Sequence, residues 1–426
     1  MNKNLILLQL NEINFNLAKK YASKYNFKYL NSIIEQKNNC LTSSEKKYEL
    51  LEPWIQWFSV YTGKKAEEHG IFRLGDCTKY KGELLFNKIE NLKFSVGLIS
   101  PMNLLNTLNN PSYFIPDPWT DSLPDNSFWS RKITSLLKIT VNNNSGKIIT
   151  FSILKDIILI FLKFASISKI HLYFYYAITS LKNKWRKALF LDLLIHDINL
   201  KLIKNNSPNF ASVFFNGGAH IQHHHLLKSE FVKKNTKADP VYEVYYLYNI
   251  ILKDYLNDKK TNYDYIIYTG LSQDINESPE YYYRLKNHKE FLNYFEIKYS
   301  SLSPRMSRDF EIKFDNQNQA ENAAKELSKI KTVDSHSTQI FETIDVRDNS
   351  IFVTLTYPKK IVRNLLISNQ KKSLNFFENI NFVAEKNGIH SQTGYLFYSK
   401  NLSNLFGESD LNVKDVHNII LNYFNA

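Results

Sequence analysis

Four short runs of branched and aromatic residues, Leu5 to Leu10, Phe94 to Ser100, Ala211 to Phe215 and Tyr265 to Thr269, each stop abruptly at polar or glycine residues. Runs of this length and continuous apolar character suit strands of a parallel sheet buried on both faces. Stretches of helical character lie between them, among them Phe15 to Glu35 and Pro240 to Leu256. Strands alternating with helices imply an α/β fold in which helices cover both faces of one sheet. In such a fold the chemistry gathers just beyond the carboxyl ends of the strands. That rule singles out Asn11 and Glu12, then Asn216 to His225, then Gly270 to Gln273.

Two segments depart from the alternation. Residues 127–205 are helical and basic, and are expected to form an inserted cap. Residues 308–356 pair a helix-like Gln319 to Ile330 with strand-like Phe310 to Phe314, Ile340 to Ile344 and Ile351 to Leu355, which reads as a small α+β insert. The core is then assigned to 1–126, 206–307 and 357–426. With 426 residues, 43% of them hydrophobic, the chain can bury a core of that size.

The net charge of +13 suits nucleic acid, an anionic membrane face or an anionic substrate, or reflects only lysines that fill surface positions. No Lys/Arg block marks a nucleic-acid tail, so an anionic small molecule or glycan is expected and nucleic acid is not. Cys40 and Cys77 do not make a disulfide framework, and a cytoplasmic location is expected. The apolar stretch Ile148 to Tyr176 is interrupted by Lys155, Asp156, Lys163 and Lys169, which argues against a membrane span. Peripheral contact of this cap with the cytoplasmic face of a membrane stays open.

The densest polar constellation is Asn216-Gly217-Gly218-Ala219-His220-Ile221-Gln222-His223-His224-His225. On a helix, His220 shares a face with His223 and His224, a spacing that suits a transition metal. Glu12, His220, His223 and His390 are the candidate acid/base groups. His390 is expected in a glycine-flanked loop, Gly388-Ile389-His390-Ser391-Gln392-Thr393-Gly394, a setting that suits an active-site histidine. Asn11, Asn216, Gln222 and Gln273 are candidate substrate contacts at the strand ends. Gln56 and Trp57, beside Trp54, suggest a stacking platform, with core packing as the alternative. Arg305 and Arg308 are the candidate anion clamp, because arginine grips phosphate through two parallel hydrogen bonds.

Taken in order, these pieces resemble the alkaline phosphatase superfamily, nearest its nucleotide pyrophosphatase/phosphodiesterase and phosphoglycerate mutase-like branches. Thr62-Gly63 followed by His69-Gly70-Ile71 matches the family pattern after its nucleophile helix, and Gly388-Ile389-His390 matches its last metal histidine. The resemblance implies a three-layer α/β/α sandwich with cap and insert, and hydrolysis or group transfer on a phosphorylated, sulfated or sugar-nucleotide substrate. It also extends to divergent members linked to surface polysaccharides. The chain departs from the pattern where the family needs donors. Glu12 and Asn216 stand for metal-binding aspartates, Gly270 and Leu271 for an Asp-His pair, and Pro53 for the nucleophile. An intact two-zinc site is therefore not expected. What remains is either no metal or one divalent ion, zinc or manganese, held by His220, His390 and Glu12. A catalytically inactive binder of a phosphorylated or glycan ligand, or of a protein, is the alternative to an enzyme.

Overall fold

The computed structural model describes residues 3–142, 151–233, 238–257, 263–305, 308–407 and 411–425. The start of the apolar stretch at 148–150, and residues 306 and 307 between the two arginines, lie outside them. The chain divides into two compact units: residues up to Ile275 together with Gly388 onward, and Asn276–Asn387.

The larger unit is built on an eight-stranded sheet. Its order is Leu411–Asn412, β2 (Asn39–Ser43), Thr393–Tyr398, β6 (Asp264–Tyr268), β1 (Leu5–Leu10), β5 (Phe210–Phe215), β3 (Val96–Ile99) and β4 (Tyr113–Ile115). The strands from β6 to β4 are parallel. Thr393–Tyr398 runs antiparallel to both β6 and β2. The four strand-like runs of the sequence all lie in this sheet. Their continuous apolar character has its cause in burial on both faces: along β1, Leu5 and Leu7 enter one core while Ile6, Leu8 and Leu10 enter the other.

One covering layer contains α3 (Pro53–Thr62) with the short α4 (Ala66–His69) against it, α5 (Leu85–Asn91) and the helix Asp415–Asn425. The opposite layer contains α1 (Phe15–Tyr25), α2 (Lys28–Glu35), α6 (Phe128–Asn142), α7 (Phe151–Phe164), α8 (Ile170–Thr179), α9 (Arg186–Asn206), α10 (Gly217–His225) and α11 (Pro240–Leu256). The three-layer α/β/α sandwich is thus the architecture of this unit. The stretch Phe15 to Glu35 forms two helices rather than one, because Asn26 takes a left-handed backbone (φ 53°) and its N–H closes on Ala22 O. The segment 127–205 is helical, but α9 packs on β3 and β5 and so serves as a covering helix of the sheet itself.

The smaller unit begins well before residue 308 and ends well after 356. Its four-stranded antiparallel sheet runs Thr343–Arg347, Ser350–Thr354, Asp309–Lys313, Ser301–Pro304, against the helix Gln317–Ser328. A core of its own, with Phe310, Ile312, Leu327, Ile351 and Val353, holds it together.

Candidate active site

The carboxyl ends of β1, β5 and β6 and the residues just before Thr393 come to one edge of the sheet, which brings Glu12, Asn216, Gly270 and His390 to the same end. Glu12 follows β1 directly. Its backbone is left-handed (φ 59°), which costs a non-glycine residue about 1–3 kcal/mol. Two contacts hold that conformation: Glu12 N–H donates to Thr269 O at 3.1 Å, and Gln222 Nε2 donates to Glu12 O at 2.8 Å. The effect is to turn the carboxylate inward, where it is almost fully buried.

Two imidazoles meet that carboxylate. His223 Nε2 and His390 Nε2 each lie 3.0 Å from Glu12 Oε2. The ligand atoms of all three residues lie within 4.8 Å of one another. Burial raises the Glu12 pKa, but the two imidazoles outweigh it and hold the group well below the usual carboxylate range. Neutral amides complete the shell. Asn11 Nδ2 donates to Glu12 Oε1 (2.8 Å) and to Asn216 Oδ1 (2.9 Å), and Gln273 Nε2 donates to Glu12 Oε2 (2.5 Å). Glu52 Oε2 lies 3.8 Å from the other ring nitrogen of His390.

Several expected roles change here. His223, not His220, completes the trio with Glu12 and His390. Three residues along a helix turn a side chain by about 300°, so His220 and His223 point about 60° apart. His220 instead faces the solvent side, its ring 5.1 Å from that of His224. Gln222 and Gln273 are fully buried supports of Glu12. The stacking platform does not form. Gln56 is buried, with its amide on Leu50 O at 2.7 Å, and Trp57 is buried against Phe214 and Tyr268. Trp57 reaches the site only indirectly, by donating Nε1 to Asn11 Oδ1 at 2.8 Å. Arg305 and Arg308 belong to the smaller unit. There Arg305 pairs with Glu311, and the Arg308 guanidinium lies 3.8 Å from the centre of the Tyr282 ring.

The motif residues Thr62-Gly63 and His69-Gly70 close two helices. Gly63 ends α3 with φ 70°, a conformation that disfavours any side chain. His69 ties this segment together, with Nε2 3.1 Å from Ser59 Oγ and Nδ1 accepting from Ile71 N–H at 3.0 Å. Burial pushes its pKa down to about 4.

One supporting residue is absent from the sequence expectations. Asp192 lies buried in α9 and accepts from Gly217 N–H at 2.9 Å, Asn216 N–H at 3.3 Å and Tyr248 Oη–H at 2.9 Å. It therefore caps α10, the helix that carries His223. A Cβ on Gly217 would stand 2.6 Å from Asp192 Oδ2, so glycine is needed for this close approach. The signal in the sequence is an acid inside the apolar run Leu189-Phe190-Leu191-Asp192-Leu193-Leu194.

Burial raises the Asp192 pKa to about 7, against the lowering pull of its donors. Its unfolded value is near the ordinary 3.8. The folded state thus binds the extra proton, and the stability this proton brings is complete below about pH 3.8 and lost as pH rises towards 7. Buried histidines such as His69 act in the opposite sense, so the variant must be compared with the parent. Asp192→Asn should flatten the fall in urea midpoint between pH 5 and pH 7.5 relative to the parent chain. Parallel pH profiles for the two proteins would show that Asp192 is not the titrating group.

No family model matches the sequence, and no curated protein matches it. Solved structures do match over nearly the whole chain. Phosphonoacetate hydrolase from Sinorhizobium meliloti, in complex with phosphonoformate, is 10% identical, with 99% of this chain and 96% of that chain covered and a TM-score of 0.46. Murine ectonucleotide pyrophosphatase/phosphodiesterase 5, in an inactive form in complex with AMP, is 10% identical, with 99% and 95% covered and a TM-score of 0.48. Alkaline phosphatase from the Antarctic bacterium TAB5 is 10% identical, with 100% and 99% covered and a TM-score of 0.43. Gly270 takes a left-handed backbone (φ 74°) directly against Trp57. A Cβ at Gly270 would stand 3.1 Å from the indole. Leu271, next along the chain, is fully buried.

Proposed function

We propose that this protein is a hydrolase or transferase of phosphorylated, sulfated or sugar-nucleotide esters, with Glu12, His223 and His390 as a one-cation centre. The observation that carries the reading is the convergence of two imidazole nitrogens on one buried carboxylate oxygen, 3.0 Å from each. Two nitrogens and one oxygen are a donor set that zinc or manganese accepts, and three protein ligands leave a position open. The His390 ring also fits. Its Nε2 is buried and lies 3.0 Å from Glu12 Oε2. A divalent cation at this point supplies Lewis-acid polarisation of an ester oxygen and lowers the pKa of a bound water.

The chain's own groups do the rest. Asn11 and Gln273 fix both oxygens of Glu12 through hydrogen bonds. Glu52, 3.8 Å from His390 Nδ1, places a further negative charge beside that ring. Trp57, Gly270 and Leu271 fill with apolar packing the volume where the family motif carries a second set of donors, which supports a single ion. Pro53 at the first position of α3 offers no nucleophile, which favours direct attack by water or by an acceptor over a covalent intermediate. The same proline supports the second reading, a binder without turnover.

Metal analysis of the purified chain, with hydrolysis of bis(p-nitrophenyl) phosphate, tests both. One zinc or manganese per chain is expected. Chelation should remove it together with the activity, and re-addition should restore both. Two tightly held ions per chain would refute the one-cation centre. One ion without turnover on any ester would decide for the binder.

A further inference from the structure

Helices α7 and α8 expose apolar surface on one side and are built into the protein on the other. Ile160, Phe164, Leu172, Tyr173 and Tyr176 enter the core of the larger unit. A buried ion network fixes the turn between the helices: Lys169 Nζ lies 2.7 Å from both Asp197 and Asp254. On the outer side of α7, Leu154, Ile158 and Leu162 stand exposed at intervals of four. On α8 and just beyond it, Phe174, Ile178 and Leu181 do the same at intervals of four and three. Ile167, between the helices, is 89% exposed, and Leu181 is 84% exposed. Each spacing forms one stripe of a helix surface.

The charge around these stripes has one sign. From residue 151 to 191 the chain carries Lys155, Lys163, Lys169, Lys182, Lys184, Arg186 and Lys187, and Asp156 is its one acid. That acid is bound to Lys132, and Arg186 is bound to Glu243. Exposed lysines therefore border the apolar stripes at Lys155 and Lys163 on α7, and at Lys182, Lys184 and Lys187 past α8. Apolar side chains flanked by unopposed lysines complement a surface of acyl chains beneath anionic headgroups.

We propose that the outer face of α7 and α8 docks on an anionic phospholipid surface, lying within the headgroup region. It does not cross. Among the described residues no single helix is long and apolar enough to span, and Leu154–Phe164 and Ile167–Thr179 meet at a bend of 109°. Each piece is about 16–20 Å long at 1.5 Å per residue, short of the roughly 30 Å hydrocarbon core. One side of each helix is already committed to the protein core.

The test is co-sedimentation of the full chain with vesicles of phosphatidylcholine alone and of equimolar phosphatidylcholine and phosphatidylglycerol. Binding to the mixed vesicles is expected, weakening with added salt. Leu162→Glu with Ile167→Glu should weaken it about tenfold or more. Lys182→Glu, Lys184→Glu and Lys187→Glu together should erase the preference for phosphatidylglycerol. All five side chains are exposed, and an unchanged thermal midpoint checks that the fold survives. Absence of vesicle binding would overturn the proposal, and so would equal binding to both vesicle types. A dimer that dissociates on the same leucine and isoleucine substitutions, without lipid binding, would assign the face to a second copy of the chain instead.

Discussion

Replacing His223 by alanine should lower divalent-metal affinity and ester hydrolysis by more than about 100-fold, while replacing His220 should leave both within a few-fold of the parent. Losing a group that merely orients a ligand costs about 10–100-fold, so losing a ligand costs more. The contrast follows from the helix: His223 Nε2 is 3.0 Å from Glu12 Oε2, whereas His220 faces away beside His224. Glu12→Gln should be as damaging as His223→Ala, because it removes the one anionic donor and leaves a neutral amide between two imidazoles. Isothermal titration with zinc or manganese, alongside rates on bis(p-nitrophenyl) phosphate, measures all three variants. Equal losses for the His220 and His223 variants would mean that the two side chains act together and that the trio is incorrectly drawn.

The second large effect concerns stability. Trp57 is fully buried, with its ring 5.8 Å from Phe214 and 5.4 Å from Tyr268. Trp57→Ala should destabilise the larger unit by about 3–5 kcal/mol, the usual cost of removing a buried indole. Trp57→Phe keeps much of the packing but leaves Asn11 Oδ1 without its donor, at a cost of about 1–3 kcal/mol. Because Asn11 also grips Glu12, the phenylalanine variant should lose activity further than its stability alone explains. Urea unfolding and turnover measured on the same preparations separate the two. A phenylalanine variant of full activity would limit Trp57 to packing.

The strands were legible because their signal is local: a continuous apolar run needs no knowledge of its neighbours to be read as doubly buried. Placement of Glu12 at a strand end then followed from the topology rule, whereas His390 was reached only through its glycine-flanked setting and the family resemblance. The choice between His220 and His223 was not legible, since it depends on how α10 is rolled against β1, and that roll is set by Asp192 and Tyr248 from other parts of the chain. Trp57 illustrates the same limit. A tryptophan at helical spacing reads equally as platform or core, and only its neighbours Phe214, Tyr268 and Gly270 decide. The smaller unit was recognised but drawn too narrowly. Tyr283 and Leu285 on one side of it and Ile367 and Phe376 on the other belong to its core, yet their apolar residues look like those of the main sheet.

The strand order also dictates a timetable. β2 is among the first strands to be synthesised, yet it joins the rest of the sheet through Thr393–Tyr398, which stands between it and β6. His390 lies immediately before that strand, beyond the whole of Asn276–Asn387. A chain emerging from the ribosome can therefore bring Glu12 and His223 together early, but it must wait until the smaller unit has been made before the second imidazole arrives and β2 is locked in. Until then a carboxylate destined for burial has half of its compensating partners, and two strand edges stand open. Such intermediates are prone to aggregation. The candidate catalytic centre is thus among the last parts of the chain that can be completed.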